Sequence, residues 1–228
     1  MTRLLPLLLA LAAVPAAAQV QFGVRAGAGV ATLEVHDESF PARVDSDDRL
    51  SLTGGVTAEL PLSDALALRT ELVYTMKGGH REASIEETLG GNALDVTFDY
   101  DYAFDYVELP VLLEVAEATS VARLAVFAGP TLAFNVREKV DAQVTGTVNG
   151  APITDEQAAM LLGPPPDQWV ETLDVGAALG TRAVRGRLAF EARFTLGLPV
   201  VSAEDEDAGT VFVGVKNRAF AVSVGYTL

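Results

Sequence analysis

Eight stretches of this chain alternate apolar and polar residues with a period of two, and the apolar residues they align are interrupted by no charge. Successive side chains of a strand point to opposite faces, so such stretches read as strands with one apolar face rather than as helices. Residues 187–198 are the cleanest case. Leu188, Phe190, Ala192, Phe194, Leu196 and Leu198 share one face, and Arg187, Glu191, Arg193, Thr195 and Gly197 lie on the other. The first segment, 20–33, sets Phe22, Val24 and Val30 against Arg25 and three glycines. The second, 49–60, sets Leu50, Leu52 and Val56 against Ser51, Thr53 and Glu59. The third, 65–77, sets Leu66, Leu68, Leu72, Tyr74 and Met76 against Arg69, Glu71, Thr75 and Lys77. Further on, 121–136 carries Arg123 opposite its aliphatic residues, 172–183 carries Asp174 and Arg182, and 218–228 carries Ser223 and Gly225.

The connections alternate in length. Residues 61–64, 116–120 and 184–186 are short, whereas the segments between the first and second, third and fourth, fifth and sixth, and seventh and eighth strands are long. An even number of strands with short turns at one end and long loops at the other predicts an all-β, eight-stranded, antiparallel up-and-down transmembrane β-barrel with short periplasmic turns and long extracellular loops. A soluble, lipocalin-like periplasmic barrel holding an apolar ligand also has eight alternating strands, with its faces reversed. The small and polar residues of the charged faces favour the membrane arrangement, because the inside of an eight-stranded barrel is narrow. So does their mixture of signs: Arg25, Arg69, Arg123, Arg182 and Arg193 against Glu59, Glu71, Glu114, Asp174 and Glu191. These ten are the expected lumen charge network. Pro110 and Pro130 fall inside strands, where each removes a ladder donor, and predict bulges or local gaps.

Residues 1–18 read as a secretory signal peptide: Arg3, an apolar run over 4–14, then three alanines before Gln19. The mature barrel domain is then 19–228, exported to the outer membrane of a Gram-negative envelope. Beyond residue 18 no apolar run reaches the roughly 18 residues of a membrane helix. Cys is absent, and 31 acidic against 16 basic residues argue against a nucleic-acid partner.

Residues 95–115 change the parity of their apolar positions. Phe98, Tyr100, Tyr102, Phe104 and Tyr106 are even, whereas Val107, Leu109, Val111, Leu113 and Val115 are odd. A spanning strand needs only about 9–11 residues. The favoured reading is one continuous strand that leaves the bilayer at residues 106–107. Asp99, Asp101 and Asp105 then face water, and Tyr100, Tyr102, Phe104 and Tyr106 line the barrel mouth. The alternative is a bulge near residue 106 that turns the aromatics outward as an interfacial belt.

The sequences Phe22-Gly-Val-Arg-Ala-Gly27, Thr53-Gly-Gly-Val-Thr-Ala-Glu59, Leu72-Val-Tyr-Thr-Met-Lys-Gly78, Tyr106-Val-Glu-Leu-Pro-Val-Leu-Leu-Glu114 and Phe127-Ala-Gly-Pro130 resemble those of PorT-type outer-membrane β-barrel proteins, often labelled "porin family". The resemblance covers the whole mature chain. It implies an eight-stranded barrel of the OmpA/OmpX size, and a few members of that family act in gliding and secretion. Tyr226-Thr-Leu228 looks like a signal for the barrel-assembly machinery.

No nucleophile motif accompanies His36 or His80, so no catalytic residue is expected, although Glu82 and Ser84 follow His80. Acidic residues cluster at Glu34, Asp37, Glu38, Asp45, Asp47 and Asp48, and at Glu204-Asp-Glu-Asp207, without the spaced ligands of a calcium loop. No metal or cofactor is expected. Thr154 and Gln157 form a capping-box pattern before a short helix over 154–162. The sequence therefore predicts a non-enzymatic, monomeric barrel in contact with outer-membrane lipid. Its lumen is closed and polar, and its acidic loops serve a structural or surface-interaction role. An accessory role in secretion, with an unknown surface or secretion partner, is the alternative within that fold.

Overall fold

The computed structural model describes residues 19–35, 45–89, 91–164, 172–198 and 215–228. The expected signal peptide, His36 and most of the acidic loop residues, including Glu204 to Asp207, lie outside them. In chain order the elements are β1 (Gln21–Val35), β2 (Asp45–Pro61), β3 (Leu66–Leu89), β4 (Asn92–Ala118), β5 (Arg123–Val148), the two-residue β6 (Ala151–Pro152), helix α1 (Asp155–Leu162), β7 (Leu173–Arg185), β8 (Leu188–Gly197) and β9 (Val215–Thr227). Eight strands pair antiparallel in a ring, β1-β2-β3-β4-β5-β7-β8-β9, and the β1–β9 ladder closes it. β6 adds only a bridge to the end of β5.

The faces follow the alternation. Phe22, Leu50, Leu72, Val111, Leu113, Val126, Leu179, Phe190 and Val222 are exposed on the outer wall, and Arg25, Glu71, Glu114 and Arg193 are buried inside. The soluble barrel with an apolar ligand is thereby excluded, since its aliphatic residues would have to point inward. Both proline expectations hold as gaps without a change of register. The β3–β4 ladder skips from Thr70↔Val111 to Val73↔Glu108 beside Pro110, and the β4–β5 ladder skips from Pro110↔Thr131 to Leu113↔Ala128 beside Pro130.

β3, β4 and β5 have 24, 27 and 26 residues, more than twice what a bilayer requires. Their upper parts project as a three-stranded sheet. The long loop expected between the third and fourth strands is instead a hairpin whose ladder reaches Leu89↔Asn92, and the expected loop after the fifth continues as strand through Val148. His80 accordingly lies in β3, opposite Asp101. The reason is visible in short alternating runs: Ala83 and Ile85, Val96 and Phe98, then Val140, Ala142 and Val144 form an apolar inner face, with Val96 and Val144 buried. Each run is too short to read alone as a strand, but three together make a sheet.

β4 keeps its phase across residues 106–107, and Phe104, Tyr106 and Glu108 are all buried on its inner side. The irregularity is across the ladder. Asp105 pairs with Arg137 and Tyr106 with Asn135, so Val136 is an extra residue in β5. Below it the odd residues of β5 point inward, and above it the even ones do. Asp105, expected to be solvated, is only 4% exposed, because Tyr74 donates its hydroxyl to Oδ2 at 2.5 Å and Arg137 stands 3.7 Å away. α1 begins as its capping box predicts, with Thr154 as N-cap bonded reciprocally to Gln157.

Val111 sits mid-belt on the outer wall, where an arginine at the bilayer midplane costs about 2–4 kcal/mol. Val111→Arg is expected to lower the reversible unfolding free energy in lipid vesicles by that amount. An unchanged value would place this face away from lipid.

Candidate functional site: the charged lumen and its mouth

Inward positions of seven strands bring nine of the ten expected lumen residues into one connected set. Glu71 of β3 is its hub, with a side chain fully shielded from solvent. It accepts Arg25 Nη1 at 2.8 Å, and Arg193 Nη1 and Nη2 at 2.9 and 2.8 Å, with Arg69 Nε 3.3 Å away. Glu191 lies 2.8 Å from Arg69 Nη1 and from Arg193 Nη2, and 3.4 Å from Arg25. Towards the short-turn end, Glu114 accepts Arg123 at 2.9 Å and Arg182 at 3.1 Å, while Glu59 accepts Arg182 at 2.5 Å and Arg123 at 3.5 Å. Arg69 Nη1 stands 3.9 Å from Glu114 and joins the two halves. Fork-shaped guanidiniums suit such sharing, since each offers several donors in one plane.

Asp174 does not join this set. It belongs to a second cluster nearer the long-strand end, where it accepts Asn217 Nδ2 at 3.0 Å. In that cluster Lys77 Nζ lies 2.7 Å from Glu108, and Thr75 donates to Glu108 at 3.2 Å. The same Lys77 sits 4.7 Å from the centroid of the Tyr106 ring, a cation–π distance. Lys77 and Glu108 are thus partners that the ten-residue set lacked, although parity already put both on the inner face. Asn217 fell one residue before the expected last strand. Phe127, also inward by parity, is overlooked because it is apolar. It packs with Leu112 and Ala178, and Arg69 and Arg193 lie 4.6 and 5.3 Å from its centroid.

The mouth aromatics stand in a row on the inner side of β4. Tyr100 and Tyr102 stack with centroids 5.9 Å apart and planes at 14°, and Phe104 follows at 5.9 Å with a tilt of 35°. Phe104 and Tyr106 pack on Ala133, flanked by Tyr102 and Val140. Burial pushes the Tyr102 phenol up to about 12 and raises Tyr100, against the opposing pull of Arg81. His80 lies 3.4 Å from Asp99, and Ser84 shares its hydrogen bond with Thr97. His80 and Ser84 are four strand residues apart, about 13 Å, too far for a nucleophile and its base.

A family model described as "Outer membrane protein beta-barrel domain" matches residues 14–201. Curated protein sequences give no match. Among solved structures, the chain is similar to Neisserial surface protein A (NspA), at 12% identity over 92% of this chain and 99% of that one, with a TM-score of 0.40. It is similar to the outer membrane protein OprG from Pseudomonas aeruginosa, at 11% identity over 92% and 97%, with a TM-score of 0.43. It is also similar to Ail, the attachment invasion locus protein of Yersinia pestis, in complex with the heparin analogue sucrose octasulfate, at 7% identity over 92% and 99%, with a TM-score of 0.36.

Removing one partner of a buried ion pair strands the others, at a cost of about 3–5 kcal/mol. Glu71→Gln is expected to destabilise the barrel by that much in denaturant titration. Asp101→Asn, which breaks the solvent-exposed pair with Arg49, is expected to cost less than about 1 kcal/mol. Equal effects would mean that the lumen pairs are solvated. At alkaline pH the unfolded phenol of Tyr102 ionises from its ordinary value of 10.0, whereas the folded one holds its proton to about 12. Stability is therefore full below pH 10 and is lost as pH rises through that window. Tyr102→Phe should flatten this loss, and absorbance titration of wild type should show a late-ionising phenol that the variant lacks.

Proposed function

We propose, for a chain that belongs to the outer membrane protein β-barrel family, a non-enzymatic envelope role in which the barrel is a sealed membrane anchor and the projecting sheet is the working surface. The chain resides in the outer membrane. The observation that carries the proposal is the paired lumen: side chains of opposite sign from seven strands meet across it. The cavity beside Arg25, Arg69 and Arg182 measures only about 20 Å³, room for about one water. A larger concavity of about 1130 Å³ is bordered mainly by outward residues such as Val115, Leu124, Phe190 and Val222, and so lies against the lipid-facing wall. Five arginines, four glutamates and a phenylalanine packed beside two of the guanidiniums support a lumen without a conduit for a solute, since an eight-stranded barrel is just wide enough to be filled this way.

The motifs at 106–114 and 127–130 favour the PorT-type branch of such barrels. Its pairing pattern suits a monomer, because the ring leaves no open edge in the membrane. The last strand, with Tyr226 to Leu228, is the segment that the barrel-assembly machinery would read. The outer face of the projecting sheet carries Glu82, Asp99, Asp101 and Asp141, so a surface partner would be met by a predominantly acidic wall. Planar-bilayer recording of the purified barrel is expected to give no sustained large conductance. A steady, porin-sized current would overturn the sealed-anchor reading and make the lumen the working site.

A further inference from the structure

The β5 bulge does more than preserve the inner face of the projecting sheet. On the outer wall the large apolar residues end within two residues of one level in the ladders, at Met76 of β3, Val107 of β4 and Val136 of β5. Immediately above that level, the extra residue turns Arg137 and Lys139 outward. Without it, period two would aim both inward in phase with Asn135. An acidic chain, with a net charge of −15, thus places two cations where the lipid-facing surface ends.

Arg137 is also seated by its cross-strand partner. The Asp105 carboxylate, held by the Tyr74 hydroxyl at 2.5 Å, lies 3.7 Å from Arg137 Nη1. That contact engages one nitrogen of a group with five donors, and the Arg137 side chain remains 69% exposed. Lys139 is held at 2.5 Å by Asp141, which makes Arg137 the principal donor. Tyr74 is itself half exposed on the outer wall, an aromatic with its hydroxyl at the edge of the apolar belt, as interfacial tyrosines are placed.

We infer that Arg137, assisted by Lys139 and seated on Asp105 and Tyr74, binds the phosphate of a lipid headgroup in the leaflet on the long-strand side. A planar guanidinium matches phosphate oxygens in a bidentate manner. The occupant is a lipid rather than a free anion. A free anion would have to approach a strongly acidic surface, whereas a lipid phosphate is held at this height by the bilayer. A basic residue near a charged membrane surface contributes roughly 1 kcal/mol, or about a fivefold preference.

The test uses the full barrel reconstituted in phosphatidylcholine vesicles containing a minority of spin-labelled lipid, either phosphatidic acid or phosphatidylcholine. Boundary-lipid selectivity is read from the immobilised fraction of the spectrum. Wild type is expected to prefer phosphatidic acid, Arg137→Ala to reduce that preference about fivefold, and Arg137→Glu to abolish it. Heat-dependent gel mobility verifies that each variant is folded. Wild-type selectivity in both folded variants would overturn the assignment. So would displacement of the labelled lipid by inorganic phosphate in the buffer, which would mark a site for the free anion.

Discussion

Charges placed inside a barrel this narrow have little water to solvate them, so they must neutralise one another or the wall cannot close around them. Among the described residues, the two lumen clusters together hold six cations (Arg25, Arg69, Lys77, Arg123, Arg182 and Arg193) and six carboxylates (Glu59, Glu71, Glu108, Glu114, Asp174 and Glu191). Neither cluster balances alone. The lower one has an extra arginine and the upper one an extra carboxylate, so the wall closes around a balanced pair of clusters rather than two separately neutral ones. Since buried ion pairs gain little over apolar packing once desolvation is counted, the network is better understood as fixing which strand stands beside which. Each carboxylate of the lower cluster is reached from at least two other strands.

The outer wall and the inward charges were legible because both obey one rule, period two, over runs long enough to count. Parity puts Asp174 on the inner face but does not separate it from the other nine charges. Parity fixes direction, whereas height depends on shear between strands, which a linear reading does not contain. Lys77 and Glu108 were likewise on the correct face, and only their proximity was hidden. Phe127 was hidden by its chemistry, since an apolar residue among inward arginines looks like an exception until its ring is found beneath two guanidiniums.

The two longest strands meet one requirement by opposite means. Both must face aliphatic residues to lipid below and apolar residues to the projecting sheet's inner side above. β4 holds its phase and exchanges its residues, even aromatics above and odd aliphatics below. β5 keeps its outward aliphatic residues below Val136 and its inward ones above it on the same even parity, from Leu124 to Val144, and rotates its backbone at Val136 instead. The parity switch in β4 was visible as a puzzle. The bulge in β5 is hidden, because a strand whose aliphatic residues keep one parity on both sides of Val136 gives no sign that it has turned over. Alternation alone therefore predicts a smaller projecting sheet than the structure has, and it puts Asp105 in water although Tyr74 and the bulge-turned Arg137 cover it.

Every ladder of the ring except one joins strands that follow each other along the chain, the short bridge strand and α1 being an excursion between β5 and β7. The exception is β1 with β9, whose residues are separated by nearly the whole described sequence. Its inner side is made of small residues. A methyl group on Gly29 would lie 1.8 Å from the carbonyl oxygen of Phe220, and one on Gly27 would lie 2.4 Å from that of Val222. Opposite them stand Ala219, Ala221, Ser223 and Gly225. Contacts distant in sequence carry the greatest entropic cost and form late. The last zip of the cylinder therefore runs along a mostly smooth margin, where two terminal staves can slide into register against an interior already filled, with Arg25 and Asn217 to be threaded into their places.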